Sequence, residues 1–199
     1  VGAVDDLGVM TSFSAFGPTD DGRIKPDLVA NGTTIYSTLG TSANSYGNYN
    51  GSSMAAASAT GSLALLFQLQ QMLQPEVGLQ SSTMKGLLIH TATEMGPDPG
   101  PDYQHGWGLI NMKAAADLLQ GNAENGGMNL REEILSNGEV KQIQVKSLSS
   151  SPFLKLTLCW TDQAGDPSPA SLNPLNRKLV NDLNLSVEQM ATSQNHLPW

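Results

Sequence analysis

The sequence has a single cysteine, Cys159, in 199 residues, so no intrachain disulfide can form, and no Cys/His spacing suits a zinc site. Basic residues are also scarce. Ten Lys and Arg stand scattered against 18 Asp and Glu, for a formal charge of -8. Neutralising phosphates needs clustered cations, so nucleic acid is excluded as a partner, and proteins, peptides or small molecules are expected instead. Long apolar runs are missing too. The longest uninterrupted one in the helical stretch is Leu63 to Phe67, far short of a membrane span. The chain opens on "VGAVDD", without an initiator Met or the charged and apolar regions of a signal peptide, so Val1 is not expected to be a biological start. Repeats and coiled-coil heptads are absent.

What is present is an ordinary hydrophobic fraction of 39%, in a length that suits one generous core or two smaller ones. Gly and Asn concentrate in "QGNAENGGMN", residues 120 to 129, where no apolar period survives. This predicts a boundary between a unit over 1–122 and a second over 128–199. In the first, β-like pieces at Val1 to Val4, Asp27 to Ala30 and Thr34 to Leu39 are followed by helical patterns at Ser53 to Leu73, Ser81 to Ala92 and Asn111 to Leu119. Strands followed by helices predict the closing portion of an α/β domain with a parallel sheet. In the second unit, "EVKQIQVKSL", "FLKLTLCW" and "LVNDLNLSV" alternate apolar and polar residues, the pattern of antiparallel strands in a sandwich. The Pro-rich loop over 161–178 belongs at the surface.

One short stretch, "YNGSSMAAASATG" over 49–61, sets two serines at the start of a helix. Serine there is ordinarily a cap, its oxygen accepting an unpaired backbone N–H. A hydroxyl at a helix mouth can also be a nucleophile, because the free N–H groups and the positive dipole end stabilise an oxyanion beside it. Gly51, lacking Cβ, would let backbone approach a substrate carbonyl. Gly61, which costs about 1 kcal/mol relative to Ala in mid-helix, predicts a close packing contact.

The order "VGAVDD", "FSAFGPTDDGRIKPDLVANGTTIYST", "YNGSSMAAASATG", "TMKGLLIHTA" and "GWGLINMKAAADLL" resembles the carboxy-terminal part of the subtilisin-like serine proteases, the subtilases. The resemblance implies a doubly wound parallel sheet. It also implies peptide-bond hydrolysis through an acyl-enzyme, protein or peptide substrates, and secretion. That family's Gly-Thr-Ser-Met-Ala motif falls on Gly51, Ser52, Ser53, Met54 and Ala55, which makes Ser53 the nucleophile and lets Gly51 and Ser52 line the substrate cleft. Two departures stand out: Ala57 replaces a common proline, and Asn31 replaces the proline of an Ala-Pro-Gly turn. The second region resembles the jelly-roll-like β-sandwich that some larger subtilases carry after the protease domain.

Serine needs a base, itself oriented by a third group, and the family order places both before the nucleophile. No histidine precedes Ser53 in this sequence. His90, His105 and His196 all follow it and read as packing or loop residues. Asp5, Asp6, Asp20, Asp21 and Asp27 precede it, but none sits in the family's Asp-Ser-Gly or Asp-Thr-Gly setting. The resemblance therefore implies that the base, its orienter and an oxyanion Asn lie in sequence upstream of Val1, and that residues 1–199 alone are inactive. The alternative is a non-catalytic relative serving as a binding or structural module.

Met54 reads as core filler. The resemblance adds that its sulfoxide would set a polar oxygen beside the oxyanion site. Cofactors are not expected. Asp162, Asp166 and Asp182 are candidate calcium ligands, but calcium takes about six to eight oxygens and no loop here has an EF-hand spacing, so they read as solvated acids. Asn31-Gly32-Thr33, Asn50-Gly51-Ser52 and Asn184-Leu185-Ser186 match the glycosylation pattern, which is frequent by chance.

Overall fold

The computed structural model describes residues 1–146, 153–167, 169–174, 176 and 178–198. Its elements run β1 (Gly2–Val4), β2 (Val29–Asn31), β3 (Ile35–Thr38), β4 (Tyr46–Tyr49), α1 (Ser52–Leu73), α2 (Ser81–Thr91), α3 (Met112–Glu124), β5 (Val187–Gln189) and β6 (Gln194–His196). The chain is mixed α/β, with three two-stranded sheets among the described residues. β1 and β2 pair in parallel with Ala3 opposite Ala30, whereas β3 and β4 form an antiparallel hairpin with Ile35 opposite Tyr49. The segment around Leu109 lengthens the parallel layer, since Val29 donates to the Gly108 carbonyl and Ile110 donates to Val29. Gly108 makes that possible: at φ 116, a Cβ there would lie 2.2 Å from the Thr93 carbonyl oxygen.

The main core lies among the three helices. Leu66 of α1, Leu87 and Leu88 of α2, and Ala115 and Leu119 of α3 are buried together with Leu28. Each fully buried leucine contributes about 1.5–3 kcal/mol relative to an exposed one. A second cluster joins sheet to helix through Ala3, Ala30 and Ala55, whose small side chains let α1 lie close over β1 and β2. Helix ends are satisfied in different ways. Asn111, at the head of the third helical pattern where Asn is a favoured cap, caps α3 by accepting from the Ala114 N–H at 2.9 Å. α2 has no local side-chain cap. Glu132 supplies one from 52 residues along the chain, accepting from the Gln80 N–H at 2.7 Å and from the Thr83 hydroxyl. A carboxylate at that end also complements the helix dipole.

The start of α1 is fixed by two interlocked turns. Gly51 donates to the Gly32 carbonyl at 2.8 Å, and Thr34 donates to the Asn50 side-chain oxygen at 2.6 Å. Gly32 in turn donates to the Val4 carbonyl at 2.9 Å, tying the junction to β1. A Cβ on Gly32 would lie 2.7 Å from both the Gly51 carbonyl oxygen and the Ala3 Cβ, so no larger residue fits.

Two expectations differ from the structure, and one strand was not foreseen. Among the described residues the expected sandwich strands are not seen: within 139–148, residues 139–146 are irregular and 147–148 lie outside the described residues, while 153–160 and 179–186 are also irregular. Alternation becomes a strand only where its N–H and C=O groups find a ladder, and here 153–160 lies against α2 instead. His90 Nδ1 is 3.0 Å from Thr157 Oγ1, and Cys159 Cβ stands 3.1 Å from where a Gly86 Cβ would be. Among the described residues after 128, only β5 and β6 pair, as a short hairpin. Gly61 makes no close contact, because a Cβ there would meet nothing within 4 Å. It sits opposite the face of α1 that buries Ala55, Ala59, Leu66 and Gln70. Finally, Tyr46–Tyr49 is a strand that its Gly- and Asn-rich surroundings conceal.

Chemical denaturation of residues 1–199 should show Leu119→Ala losing about 2–5 kcal/mol as a cavity opens in the helix core. Leu65→Ala, at a position 65% exposed on α1, should stay within about 0.5 kcal/mol. Gly32→Ala should cost about 1–3 kcal/mol by overpacking; unchanged stability would mean that the two turns are not held as described.

Candidate functional site

Ser52 and Ser53 are the first two residues of α1, and both are exposed. The cap position belongs to Gly51, at φ 157 and ψ 157, a conformation that L side chains rarely adopt, and it makes no side-chain cap. The serines therefore do not act as caps. Met54 and Ala55 both donate to the Gly51 carbonyl, at 3.1 and 3.3 Å, while the Ser52 and Ser53 N–H groups donate to no carbonyl among the described residues. Two donors free among the described residues thus stand at the positive end of a 22-residue helix, beside the Ser53 hydroxyl, which has no hydrogen-bond partner among them. Such a site can accept a developing oxyanion. The Met54 sulfur lies 3.4 Å from where a Gly51 Cβ would be, so its side chain covers the glycine on the helix side.

No histidine is hydrogen-bonded to Ser53. His90 is half-buried on α2 against Thr157, and burial, with Lys155 adding to it, lowers its pKa. His105 pairs with Asp102 across 3.1 Å inside the loop joining α2 to α3. Burial opposes ionisation of Asp102, but the His105 and Gln104 backbone N–H groups and the His105 ring outweigh it, so its pKa is lowered. His196 is exposed on β6.

The upstream acids are likewise engaged with other partners. Asp5 accepts from the Leu7 and Val9 N–H groups, and Asp6 from the Asn31 side chain. Asp20 accepts from the Asn173 N–H. Asp21 is held down to about 2 by its hydrogen bonds from Arg23 and then Thr19. Asp27 is partly desolvated, which opposes ionisation, yet Lys25 and Lys85 outweigh that and lower its pKa.

Asp162 closes its own loop, accepting from the Val180 and Asn181 N–H groups at 2.8 and 3.1 Å. The Asp166 carbonyl accepts from Lys178 at 3.0 Å. Among the described residues, no three His, Cys, Asp or Glu side chains gather closely enough to hold a metal ion. Burial raises the Cys159 pKa, leaving a weak nucleophile. Two recesses, of about 350 and 290 Å³, lie away from the serines, one along 98–103 and the other between the ends of α1 and α3. No described helix is long and apolar enough to cross a membrane.

Sequence reasoning placed Gly51, Ser52 and Ser53 together at the helix mouth. It missed the hairpin that leads into them and the docking of 31–34 on 50–51. The Asn-Gly pairs at 31–32 and 50–51 were the available signal, since both mark turns.

Comparison with known proteins bears on this arrangement. The sequence pattern of Peptidase S8, the subtilase family, matches residues 1–108. A serine protease/ABC transporter B family protein, tagA of Dictyostelium discoideum, is 31% identical over 206 aligned residues, covering 88% of this chain and 11% of that protein. Subtilisin DY of Bacillus licheniformis is 34% identical over 116 residues, covering 58% of this chain and 36% of that protein. The structure of the CspB protease of Clostridium perfringens superposes with a TM-score of 0.53 at 30% identity, over 59% of this chain and 26% of that one. The chain thus spans about a third or less of these relatives. With more than half of its residues matching the family pattern, on a mixed α/β fold shared with a solved protease of that family, this chain belongs to the subtilases.

Proposed function

We propose that this chain carries the nucleophile of a secreted serine endopeptidase. The observation that carries this reading is the Ser53 hydroxyl, exposed at the mouth of α1 and, among the described residues, unpaired beside the free N–H groups of Ser52 and Ser53. Ser53 Oγ attacks the carbonyl carbon of a peptide bond, and its proton passes to a histidine outside residues 1–199. The carbonyl oxygen takes up negative charge facing the Ser53 N–H, and an oxyanion donor of this kind is worth about 100- to 1,000-fold in turnover. The C–N bond then breaks, the amine leaves with the histidine's proton, and water hydrolyses the acyl-enzyme ester. Gly51 and Ser52 line the cleft next to the scissile bond. The orienting Asp and a side-chain oxyanion donor also come from outside these residues. Secretion is part of the same reading and rests on family likeness.

We further propose that 1–122 is the closing portion of the protease domain and that 128–199 begins a second, sandwich-type unit whose strands form only with further partner strands. α3 runs to Glu124, so the Gly126-Gly127 turn is the natural junction. The likeness to tagA, covering 88% of the chain, reaches beyond the first unit. The exposed side of α1, with Leu65 and Met72 at 65% and 74% exposure, is the face that the remainder of such a domain covers.

A fluorophosphonate probe should label the complete polypeptide at Ser53, lose that labelling in Ser53→Ala, and fail to label residues 1–199 alone. Absent labelling of a folded complete polypeptide would favour a non-catalytic module, and rapid labelling of residues 1–199 would place the base within them. In peroxide, Met54→Ala should retain activity longer than the unsubstituted enzyme, because no sulfoxide can form beside the site. Equal loss in the two proteins would remove Met54 from the account.

A further inference from the structure

The hairpin leading into Ser53 carries an aromatic surface that the reaction at the serine does not use. Tyr36 stands opposite Asn48 and Tyr46 opposite Thr38, so the two tyrosines are diagonal neighbours on one face of β3 and β4. Their ring centroids are 5.7 Å apart and the planes 19° from parallel, a stacked pair. The pair contributes to the hairpin, as cross-strand aromatics do. Packing does not hide it: Tyr36 is 68% exposed and Tyr46 55%. The apolar support lies on the other face, where Leu39 comes within 3.0 Å of a Cβ built on Gly47. Two broad rings therefore face solvent beside Thr38 and Asn48 on one face of the hairpin, while Tyr49, 55% exposed, stands on the other.

The location gives this surface an occupant. β4 passes without interruption through Asn50 and Gly51 into Ser52 and Ser53, so the tyrosine face is continuous with the backbone of the candidate site. At about 3.3 Å per residue, Tyr46 lies roughly 10 Å back along the strand from Tyr49. Ser53 is four residues further on, so a peptide held extended across Ser53, advancing by the same repeat, brings a side chain up to about seven residues from the attacked carbonyl level with the rings.

We propose that the Tyr36–Tyr46 stack is a specificity subsite for an aromatic or large aliphatic side chain of the peptide substrate, distant from the scissile bond. The inference rests on Ser53 acting on peptides and deepens that reading: the serine determines which bond is cut, and the tyrosines select peptides by a residue farther along. Ring faces, rather than phenol hydroxyls, supply the contact, because stacking and edge-to-face geometry use the ring.

The test is binding without turnover. In the complete polypeptide with Ser53→Ala, fluorescence anisotropy is read for labelled alanine-rich decapeptides, each with a single Phe moved position by position. One register should bind about three- to tenfold more tightly than the others, the worth of one aromatic contact. Tyr36→Ala with Tyr46→Ala should abolish that preference alone, and Tyr36→Phe with Tyr46→Phe should keep it. The result that overturns the proposal is a Phe preference that persists in the alanine variant, no preference at all, or an equal weakening of every peptide, which would assign the pair to hairpin stability. Because this readout needs no catalysis, it stands apart from the fluorophosphonate result: labelled Ser53 without register preference sinks the subsite only, and register preference without labelling sinks the peptidase reading only.

Discussion

The contact between Gly32 and Gly51 is the constraint on which the rest of the site depends. A parallel strand pair ends, a hairpin turns back, and a 22-residue helix begins, all within one hydrogen bond of each other. That junction closes only because residue 32 has no side chain. A methyl group there would push the Gly51 carbonyl away, and that carbonyl holds the Met54 and Ala55 N–H groups of the first helical turn. Geometry at Ser53 is therefore set by backbone against backbone, with Asn50 and Thr34 as a second tie. Ala3, Ala30 and Ala55 repeat the same logic one layer deeper, where small side chains trade buried area for close approach.

α1 shows the cost of that arrangement. Its buried side packs on α3 and the strands, yet the opposite side is scarcely more polar, presenting Leu65, Met72 and Gly61 to solvent. A helix apolar on both sides is a central element, whereas α3, polar along Lys113, Asp117 and Gln120, is peripheral. The two helices touch, but only α3 is dressed for water on its outer side. The difference agrees with a chain that spans 36% of subtilisin DY.

Much of this was legible in the sequence, for identifiable reasons. Helix positions followed from the apolar period, and Asn111 signalled a cap that depends on its own side chain alone. Ser53 was legible as a candidate because its neighbours form a linked set of motifs, and the three histidines that follow it stand on other partners or at the surface. Features that need a distant partner were not legible. Alternation at 153–160 suggested a strand, but only tertiary contact with α2 decides where that segment goes. Tyr46–Tyr49 drew no strand assignment, because only its pairing with Ile35–Thr38 makes it one. Gly61 looked like a packing glycine because its sequence says nothing about which side of the helix is covered.

Glu132 carries a last consequence, concerning the order of events during synthesis. The chain emerges amino terminus first, so α2 leaves the ribosome with its opening turn unsatisfied and stays so while the whole of α3 is made. The carboxylate that completes it arrives only with residue 132. Helix-layer assembly is thereby tied to translation past the end of α3, and a nascent chain arrested near residue 124 would hold all three helices with one of them still open at its start.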